Sequence, residues 1–396
     1  MPLDLPVYMD NQSTTRTDPR VVDAMLPYLS EIYGNAGSSS HAFGWDAKQA
    51  VDLSRSTLAR AIGAKPNEII FTSGATESNN LALRGVAEHA RRKGNHLVSV
   101  VTEHKAVLDP LARLQRRGFE VTLLPVKAQG EPAVGLITAE QVEQAIRPET
   151  ILVSVMAANN EIGVLQPLQE IAEVCRKHTV LLHTDAAQAV GRVPVDVASL
   201  GVDLMSFTAH KIYGPKGIGA LYVRRGSHRL RLEPLLTGGG QEMGLRSGTL
   251  NVAGCVGFGR AIELCQAGLP QEAQRIGHLR DRLYEGLTRS VQNISLNGPL
   301  LGGKAGRLPG NLNMCFPGVD GESLMMSMGY LAVSSGSACT SSEPEPSHVL
   351  RALGCDDDAT RSSLRFSLGR FNTGEEVDFA IGAVSDAVQR LRTLGS

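Results

Sequence analysis

Two side chains with complementary chemistry stand at the ends of successive predicted strands, Asp185 in HTDAAQ and Lys211 in TAHKIYGPKG. A lysine amine can form a Schiff base with pyridoxal phosphate, and a nearby carboxylate keeps the pyridine nitrogen protonated so that the ring withdraws electrons. Either residue alone is equally well explained by an ion pair or a surface position. Together with an anion-binding segment upstream, the pair favours a pyridoxal-phosphate site.

That upstream segment is TSGATESNN, residues 72–80, where a predicted strand turns into a helix through small residues. Such a turn leaves free backbone N–H groups at the positive end of the helix dipole, an arrangement that binds phosphate. Taken alone, the motif is better explained as a plain helix cap by Ser73 or Thr76. Only the lysine and aspartate downstream make a phosphate site the better interpretation.

Other polar side chains also follow predicted strands. His104 in TEHKA could stack on the pyridine ring, although a lone histidine there is more often a packed or capping residue. Asn160 and Gln188 are neutral hydrogen-bonding groups suited to the ring oxygen of the cofactor, and Thr208 and His210 flank the lysine, from where they could reach the phosphate. Ligands bind beyond the carboxyl ends of strands in open α/β sheets, so these residues predict one site.

Cys339 lies in SSGSACTS, residues 334–341, among small residues and just before the proline-broken SEPEPSH. A cysteine of the core has apolar neighbours, as Cys315 has in NLNMCFPG. Small residues predict a mobile segment, and a mobile thiol can reach a sulfur inside a pocket and then pass it to an outside thiol by exchange. Cys339 is therefore a candidate nucleophile; the alternative is an exposed loop cysteine without a role.

The composition argues against several other classes of protein. The 396 residues include 39 basic and 40 acidic side chains, so neither nucleic acid nor an anionic membrane is indicated as a partner. The N-terminal MPLDLPVYMDNQ lacks the features of a signal or transit peptide, and no apolar run has the roughly 18 residues of a membrane helix. The six cysteines form no CxxC pair and no metal-like spacing, which predicts the reducing cytoplasm and no metal site.

Short apolar runs alternate with amphipathic helix patterns along most of the chain. The alternation predicts an α/β protein whose mostly parallel sheet is covered by helices. From about residue 264 a long polar helix, short strands and a closing helix over 375–394 follow. We predict a large domain over 16–263 and a smaller α+β domain of 1–15 and 264–396, which carries the cysteine loop (about 331–346). The strands of the sheet are predicted within 68–74, 96–104, 119–126, 150–160, 180–188, 203–211 and 219–225.

From about residue 7 to 394 the motifs closely resemble those of cysteine desulfurases of the NifS/IscS type. The resemblance implies the class V aminotransferase group, the type I fold of pyridoxal-phosphate enzymes, and a homodimer. The motifs that carry it are DNQSTT, GNAGSSSHAFG, FTSGATESNN, TEHKAVL, NNEIGV, HTDAAQAVG, HKIYGPKGIGALYVRR, RSGTLN, SSGSACTS, EPSHVLRALG and RFSLGRF.

The resemblance also implies a role for each candidate residue. Lys211 would carry the cofactor, Asp185 would pair with the pyridine nitrogen, and His104 would stack on the ring and help to transfer protons. Cys339 would be the nucleophile, and Arg365 of RFSLGRF would bind the substrate carboxylate through its bidentate guanidinium. Asn160 and Gln188 would contact the ring oxygen of the cofactor, and Asn160 would also contact the substrate. The phosphate would be held by Ala75, Thr76, Thr208 and His210, and by Thr249 of RSGT from the other subunit.

The implied reaction removes sulfur from L-cysteine, giving L-alanine and a persulfide on Cys339 that passes to acceptors such as an iron–sulfur scaffold or sulfur carriers. Two features depart from the family's usual pattern. The N-terminal motif reads DNQSTTR, where a small residue and Ala usually precede the Thr pair, and we expect altered packing without lost chemistry. The chain ends at Ser396, without the longer tail that IscS-like members often use to dock a scaffold, so the acceptor stays open.

Three alternatives to a desulfurase are less consistent with these residues. A selenocysteine lyase or another class V aminotransferase shares the lysine site, but an aminotransferase needs no thiol at 339. A non-catalytic assembly platform would be expected to lack Lys211, Cys339 or Arg365, and all three are present. A nucleotide-binding Rossmann protein is not indicated, because no GxGxxG follows a predicted strand.

Overall fold

A computed structural model of the chain describes residues 3–226, 230–303, 305–335 and 346–395. Cys339 lies outside the described residues, and so does most of the segment that was predicted to be a mobile loop. The predictions about both therefore stay predictions.

Strands and α-helices alternate along residues 69–208 of the described chain. The strands are β1 (Val7–Tyr8), β2 (Ile69–Thr72), β3 (His96–Val100), β4 (Glu120–Leu124), β5 (Thr150–Ser154), β6 (Leu181–Asp185), β7 (Leu204–Thr208), β8 (Gly219–Val223), β9 (Ser295–Leu296), β10 (Asn311–Cys315), β11 (Leu331–Ala332), β12 (Ser334–Ser335) and β13 (Ser363–Ser367). The helices are α1 (Pro19–Met25), α2 (Pro27–Ser30), α3 (Ala42–Ala61), α4 (Ala75–Ala90), α5 (Lys105–Arg116), α6 (Ala139–Ala145), α7 (Leu168–Lys177), α8 (Val197–Leu200), α9 (Val252–Ser290), α10 (Gly321–Ser327), α11 (His348–Ala352), α12 (Asp357–Arg361) and α13 (Gly374–Gly395).

The predicted mostly parallel sheet is confirmed. Within the described residues it has seven strands in the order β2-β8-β7-β6-β5-β3-β4, and each of the predicted runs supplies one strand. Of these seven strands β8 alone runs opposite to the others, so its pairings with β2 and β7 are antiparallel. It follows β7 through a short turn instead of a crossover helix, and such a connection can only reverse the chain. That turn contains Lys211.

Both faces of this sheet are buried beneath helices, as its continuous apolar strands require. Neighbouring residues of β2 point to opposite faces: Ile70 packs in a cluster with Leu81 of α4 and Leu111 of α5, whereas Phe71 belongs to a cluster with Leu58 of α3 and Phe258 of α9. Helices on both faces hold the sheet rigid, so side chains at its C-terminal edge have fixed positions.

The remaining short strands lie in two smaller sheets. One has the order β12-β13-β10-β9 and is antiparallel, and β1 pairs with β11 in parallel. Their core contains apolar side chains from β1, β10, β13, α9 and α13, among them Val7, Leu312, Phe366 and Val384. Residues of the N-terminal segment thus pack with residues beyond 276.

The long helix begins earlier than its polar pattern predicted. The sequence predicted a long polar helix from about residue 264, but α9 starts at Val252, where the side chain of Asn251 accepts a hydrogen bond from the Gly254 N–H at 2.9 Å. Its first half, GCVGFGRAIELC, is mostly buried and rich in glycine, which hides the amphipathic period. The helix runs unbroken through residues 263 and 264; the domain boundary placed there stays a prediction.

His183 links three neighbouring strands, and its neutral state stabilises the sheet. Its ring nitrogens bond the hydroxyls of Ser154 on β5 at 2.8 Å and of Ser206 on β7 at 3.0 Å, and burial lowers its pKa to about 3. An unfolded histidine titrates near 6.5, so between about pH 6.5 and 3 the unfolded chain binds a proton that the folded chain does not, and stability falls as the pH is lowered. We expect the melting temperature to fall from pH 7.5 to 5, and to fall less in His183→Asn. Equal falls in both proteins would contradict this.

No helix among the described residues is both long enough and apolar enough to cross a membrane.

Candidate active site

A cavity of about 440 Å³ lies at the C-terminal ends of β2, β6 and β7. This volume is typical of small-molecule and cofactor sites. Neither Arg365 nor Thr249 lines it. The predicted site residues that line it are Ala75, Thr76, His104, Asn160, Asp185, Gln188, Thr208, His210 and Lys211.

A second cavity, of about 510 Å³, lies near the N-terminal ends of β5 and β6. Lys93, Arg176 and Arg224 are among its lining residues, and none of the predicted site residues is. The smaller cavity, at the edge of the sheet where α/β proteins bind ligands, is therefore the candidate active site.

The first turn of α4 lies at one end of the cavity and is the candidate anion site. Gly74 precedes the helix without a side-chain cap, so the simpler interpretation of TSGATESNN, a cap by Ser73 or Thr76, is wrong. The first intrahelical donor is the Ser78 N–H, which bonds the Gly74 carbonyl at 3.1 Å. The Ser73 and Gly74 N–H groups are bonded to Glu77 Oε2 and Thr72 Oγ1, which leaves those of the first helical turn, residues 75–77, to face a phosphate. Gly219 permits the close approach of β8, because a Cβ there would lie 2.6 Å from the Gly74 Cα.

The carboxylate of Asp185 is fixed at the end of β6. Its Oδ2 accepts a hydrogen bond from Asn79 Nδ2 at 2.6 Å, and its Oδ1 accepts one from the Ala187 N–H at 2.9 Å. Asp185 is only 7% exposed. The strand end and the helix α4 thus hold one buried acid in a single orientation.

Lys211 meets the N-terminal DNQSTT motif at the cavity wall. Its Nζ donates a hydrogen bond to the main-chain carbonyl of Gln12, and Gln188 Nε2 donates to the same oxygen at 2.9 Å. The Oε1 of Gln188 accepts a bond from Arg192 Nη1 at 3.0 Å. The amine that would carry a cofactor is therefore held by a neutral acceptor.

His104 is held in one tautomer at the N-terminus of α5. Its Nδ1 accepts a hydrogen bond from the Ala106 N–H at 3.0 Å, so the proton of the neutral ring lies on Nε2. Burial lowers its pKa, and the positive charge of Lys211 lowers it further. A neutral imidazole at the cavity wall can stack on a ring and exchange a proton at Nε2.

Thr208 and His210 lie on either side of the turn that leads to Lys211. The Thr208 hydroxyl donates to the Ile218 carbonyl at 3.2 Å, so it would have to turn to reach a phosphate oxygen. His210 Nδ1 is 3.1 Å from the Thr14 hydroxyl oxygen. Burial lowers the pKa of His210 to about 4, and the charges of Lys211 and Lys216 act in the same direction. His210 is thus a neutral group at neutral pH.

Arg365 lies on β13 and is buried behind Asn160. Its Nη1 donates to the Asn160 carbonyl at 2.8 Å and its Nη2 forms an ion pair with Asp10 at 2.7 Å. Its Nε has no partner among the described residues. Arg365 therefore adjoins the cavity through Asn160 and keeps unused hydrogen-bonding capacity.

Thr249 is exposed and lies away from this cavity. The neighbouring Arg246 is tied to α4 by an ion pair with Glu77 at 2.9 Å. The RSGT motif is thereby attached to α4 of its own chain, with Thr249 exposed.

Sequence reasoning missed the side chains and carbonyls that position the others. Asn79 was part of TSGATESNN, and a buried amide in the body of a helix is a signal that could have been used, because Asn disfavours helix interiors. Gln12 acts on Lys211 through its main-chain carbonyl, which leaves no signature in the sequence. Asp10 became visible only when the fold brought β13 beside the N-terminal segment.

Comparison with known proteins decides the family. The class V aminotransferase profile matches residues 7–379. A curated relative from Anaeromyxobacter dehalogenans, named cysteine desulfurase IscS, is 52% identical over 392 residues, which are 99% of this chain and 95% of that protein. The chain belongs to the cysteine desulfurases.

Solved structures agree with this assignment. A NifS-like protein superposes with a TM-score of 0.88 at 37% identity; the match covers 97% of this chain and 99% of the NifS-like protein. A structure described as SspA in complex with cysteine superposes with a TM-score of 0.80 at 36% identity; the match covers 93% of this chain and 100% of the SspA chain.

Proposed function

We propose that this desulfurase binds pyridoxal phosphate in the 440 Å³ cavity and converts L-cysteine to L-alanine, leaving the sulfur on Cys339. One observation carries the proposal: Lys211 and Asp185, each held by its own hydrogen bond, share the cavity with the uncapped first turn of α4. Pyridoxal-phosphate chemistry requires a lysine, an acid and an anion site together, and none of the three alone would indicate this cofactor.

The donor set fits the cofactor group by group. The first turn of α4 and Thr76 would hold the phosphate, with Thr208 and His210 beside them. Asp185 would bond the pyridine nitrogen, Gln188 and Asn160 would contact the ring oxygen, and Lys211 would hold the aldehyde carbon. When bound, the cofactor would supply an electron sink that allows the substrate's α-carbon to lose a proton and its C–S bond to break.

Arg365 would bind the substrate carboxylate. It is buried, its Nε has no partner within the described residues, and its Nη1 is fixed on the carbonyl of Asn160, which lines the cavity. A carboxylate held by Nε and Nη2 would compete with Asp10 for Nη2. The cysteine complex of SspA supports L-cysteine as the ligand.

His104 and Lys211 would move protons. The fixed tautomer of His104 presents the Nε2 proton as a donor, and its lowered pKa keeps the ring neutral; a second proton could be taken only at Nδ1, once the bond from the Ala106 N–H is broken. The Gln12 carbonyl would keep the lysine amine at the cavity wall between transfers.

Cys339 would take the sulfur. The overall step is L-cysteine plus Cys339–SH giving L-alanine plus Cys339–S–SH: the C–S bond breaks, an S–S bond forms, the carbon is reduced and the sulfur oxidised, with no outside oxidant. Burial raises the pKa of the described thiols, to about 12 for Cys175 and Cys255 and about 11 for Cys265, with smaller rises for Cys315 and Cys355. Such thiols stay protonated at neutral pH and are poor nucleophiles.

A homodimer would complete the site. Large apolar side chains between residues 22 and 53 are exposed, and soluble monomers rarely show so many together. A second copy of the chain would cover them and would bring Thr249 to the partner's phosphate. The exposed side chains are Val22, Leu26, Leu29, Tyr33, Phe43, Trp45 and Leu53.

The sulfur would pass from Cys339 to an iron–sulfur cluster scaffold or a sulfur carrier. A persulfide can be attacked by any acceptor thiol that reaches it, so chemistry alone does not choose between them. The name IscS of the relatives supports the scaffold, and we propose a cytoplasmic enzyme.

The test is turnover of L-cysteine with and without a thiol reductant. The proposal expects alanine and sulfide in equal amounts with reductant present. Alanine from selenocysteine but not from cysteine would indicate a selenocysteine lyase, and amino transfer to a keto acid without sulfide would indicate an aminotransferase.

Asn79→Ala is expected to weaken cofactor binding. The substitution removes the amide that orients Asp185, and losing one hydrogen bond to a buried charge should raise the cofactor dissociation constant by about tenfold or more. Absorbance titration of the cofactor-free enzyme measures this. Asn80→Ala is the matched control, because within the described part of the chain the Asn80 amide bonds the Thr76 carbonyl alone, on the exposed side of α4. Equal affinities of the two variants would contradict the role of Asn79.

A further inference from the structure

Glu161 is a buried acid beside the active site that the reaction above does not use. It follows Asn160 and is 4% exposed. Its N–H donates to Asn159 Oδ1 at 2.8 Å, and its carbonyl accepts bonds from Asn311 Nδ2 at 2.9 Å and Asn313 Nδ2 at 3.3 Å. The main chain is therefore held on both sides, and the side chain has one fixed direction.

The carboxylate of Glu161 is directed at Ser347. Its Oε2 accepts a hydrogen bond from the Ser347 hydroxyl. The same hydroxyl accepts the Leu350 N–H at 3.1 Å and so caps α11. Ser347 is buried, and it is the second described residue after the segment that carries Cys339.

The next residue is also tied to the cavity wall. His348 Nε2 lies 2.9 Å from the carbonyl of Glu103, which precedes His104. On the other side of the cysteine segment, Ser334 and Ser335 pair with Arg365 and Leu364 through the antiparallel β12–β13 ladder. The residues before the cysteine segment are thus held by main-chain pairing, and those after it by side chains. Substitutions can remove the side-chain contacts.

We propose that Glu161 is a positioning residue for sulfur transfer, whose carboxylate holds Ser347, the second described residue after the Cys339 segment, beside Asn160 of the cavity. The inference rests on the proposed function. It gives the acid a part in the thiol step and none in cofactor or cysteine binding, because its contact is to Ser347 and not to the cavity lining.

An acid at this position is costly unless its charge is used, since an amide would accept the same hydrogen bond without desolvation of a charge. Burial raises the pKa of Glu161 to about 7, opposed by the Ser347 bond and the charge of Arg365. The charged group that acts on it within the described residues is Arg365, and its neutral neighbours are Ser347 at the N-cap of α11 and the Asn311 and Asn313 amides of β10, which bond its carbonyl. Near neutral pH the contact is therefore expected to weaken on acidification, because the charged acceptor binds the hydroxyl more strongly than the protonated acid does.

Ser347→Ala separates the two steps of the reaction. L-Cysteine should still bind, seen as a change in cofactor absorption, with a dissociation constant within about twofold of wild type, whereas the single-turnover rate of persulfide formation should fall about tenfold. Ser347→Thr keeps a hydroxyl and should restore the rate to within about threefold. In Glu161→Gln the part of the rate's pH dependence centred near 7 should disappear.

Thr138→Ala is the matched control, because Thr138 caps α6 through the Gln141 N–H at 3.2 Å, and its loss should leave both steps unchanged. Hydrogen exchange of the α11 amides, measured without substrate, should be faster in Ser347→Ala. Equal loss of cysteine binding and persulfide formation would reduce Glu161 to a structural role and overturn the inference. If the wild type forms a persulfide and Ser347→Ala forms it equally fast, this inference alone fails; if the wild type forms none, the proposed function fails and takes the inference with it.

Discussion

Lys211→Ala is expected to lower the turnover of L-cysteine by a factor of roughly 10⁴ or more, since it removes both the cofactor's covalent attachment and a proton-transferring group. The absorption that arises from the lysine-bound cofactor should vanish, and cofactor should be lost on gel filtration. Added cofactor should not restore the rate, because no other amine takes the position that the Gln12 carbonyl gives to Lys211.

Lys48→Ala provides the control for this substitution. Lys48 is an exposed lysine on α3 paired with Asp52, so removing it should change neither the cofactor spectrum nor the rate. Turnover by Lys211→Ala within about tenfold of wild type would mean that another group carries the cofactor, and the site built here from Asp185, Asn79 and α4 would be wrong.

Cys339→Ala is expected to leave substrate binding intact and to abolish product formation. Cysteine should still change the cofactor spectrum, because Lys211, Asp185 and Arg365 are all present. Alanine and sulfide should fall roughly a thousandfold, since the substrate sulfur has no thiolate to accept it. Rapid-mixing spectroscopy and product analysis on the same sample separate the two effects.

Cys355→Ala is the matched substitution, at a partly buried thiol whose pKa is raised by burial. It should form alanine and sulfide at the wild-type rate. Full turnover by Cys339→Ala would show that the motif SSGSACTS takes no part, and would favour a lyase or aminotransferase reaction at the same lysine.

The sheet and the lysine site could be predicted because each has a short-range signal. Apolar runs followed by polar residues mark strand ends, and strand ends of a parallel sheet meet at one edge, which brought His104, Asp185 and Lys211 together from distant parts of the sequence. The start of α9 was missed, because buried glycine-rich helix has no amphipathic period.

Contacts made by main-chain atoms and by distant segments were beyond the sequence. The Gln12 carbonyl reaches Lys211, and Asp10 reaches Arg365, only after β1 and β13 are placed beside the large sheet. Glu161 was visible in NNEIGV, but its partner Ser347 could not be inferred, because no periodic pattern links a loop after β5 to the cap of a five-residue helix.

The most direct test of sulfur transfer is the mass of the Cys339 peptide after one turnover. The wild-type enzyme would be mixed with an equal amount of L-cysteine carrying a heavy sulfur isotope, without reductant, then alkylated and digested. We expect one labelled sulfur on the peptide that contains Cys339 and none on the peptides of the other cysteines, together with an equal amount of alanine. Alanine formed while the Cys339 peptide stays unlabelled would contradict the persulfide mechanism.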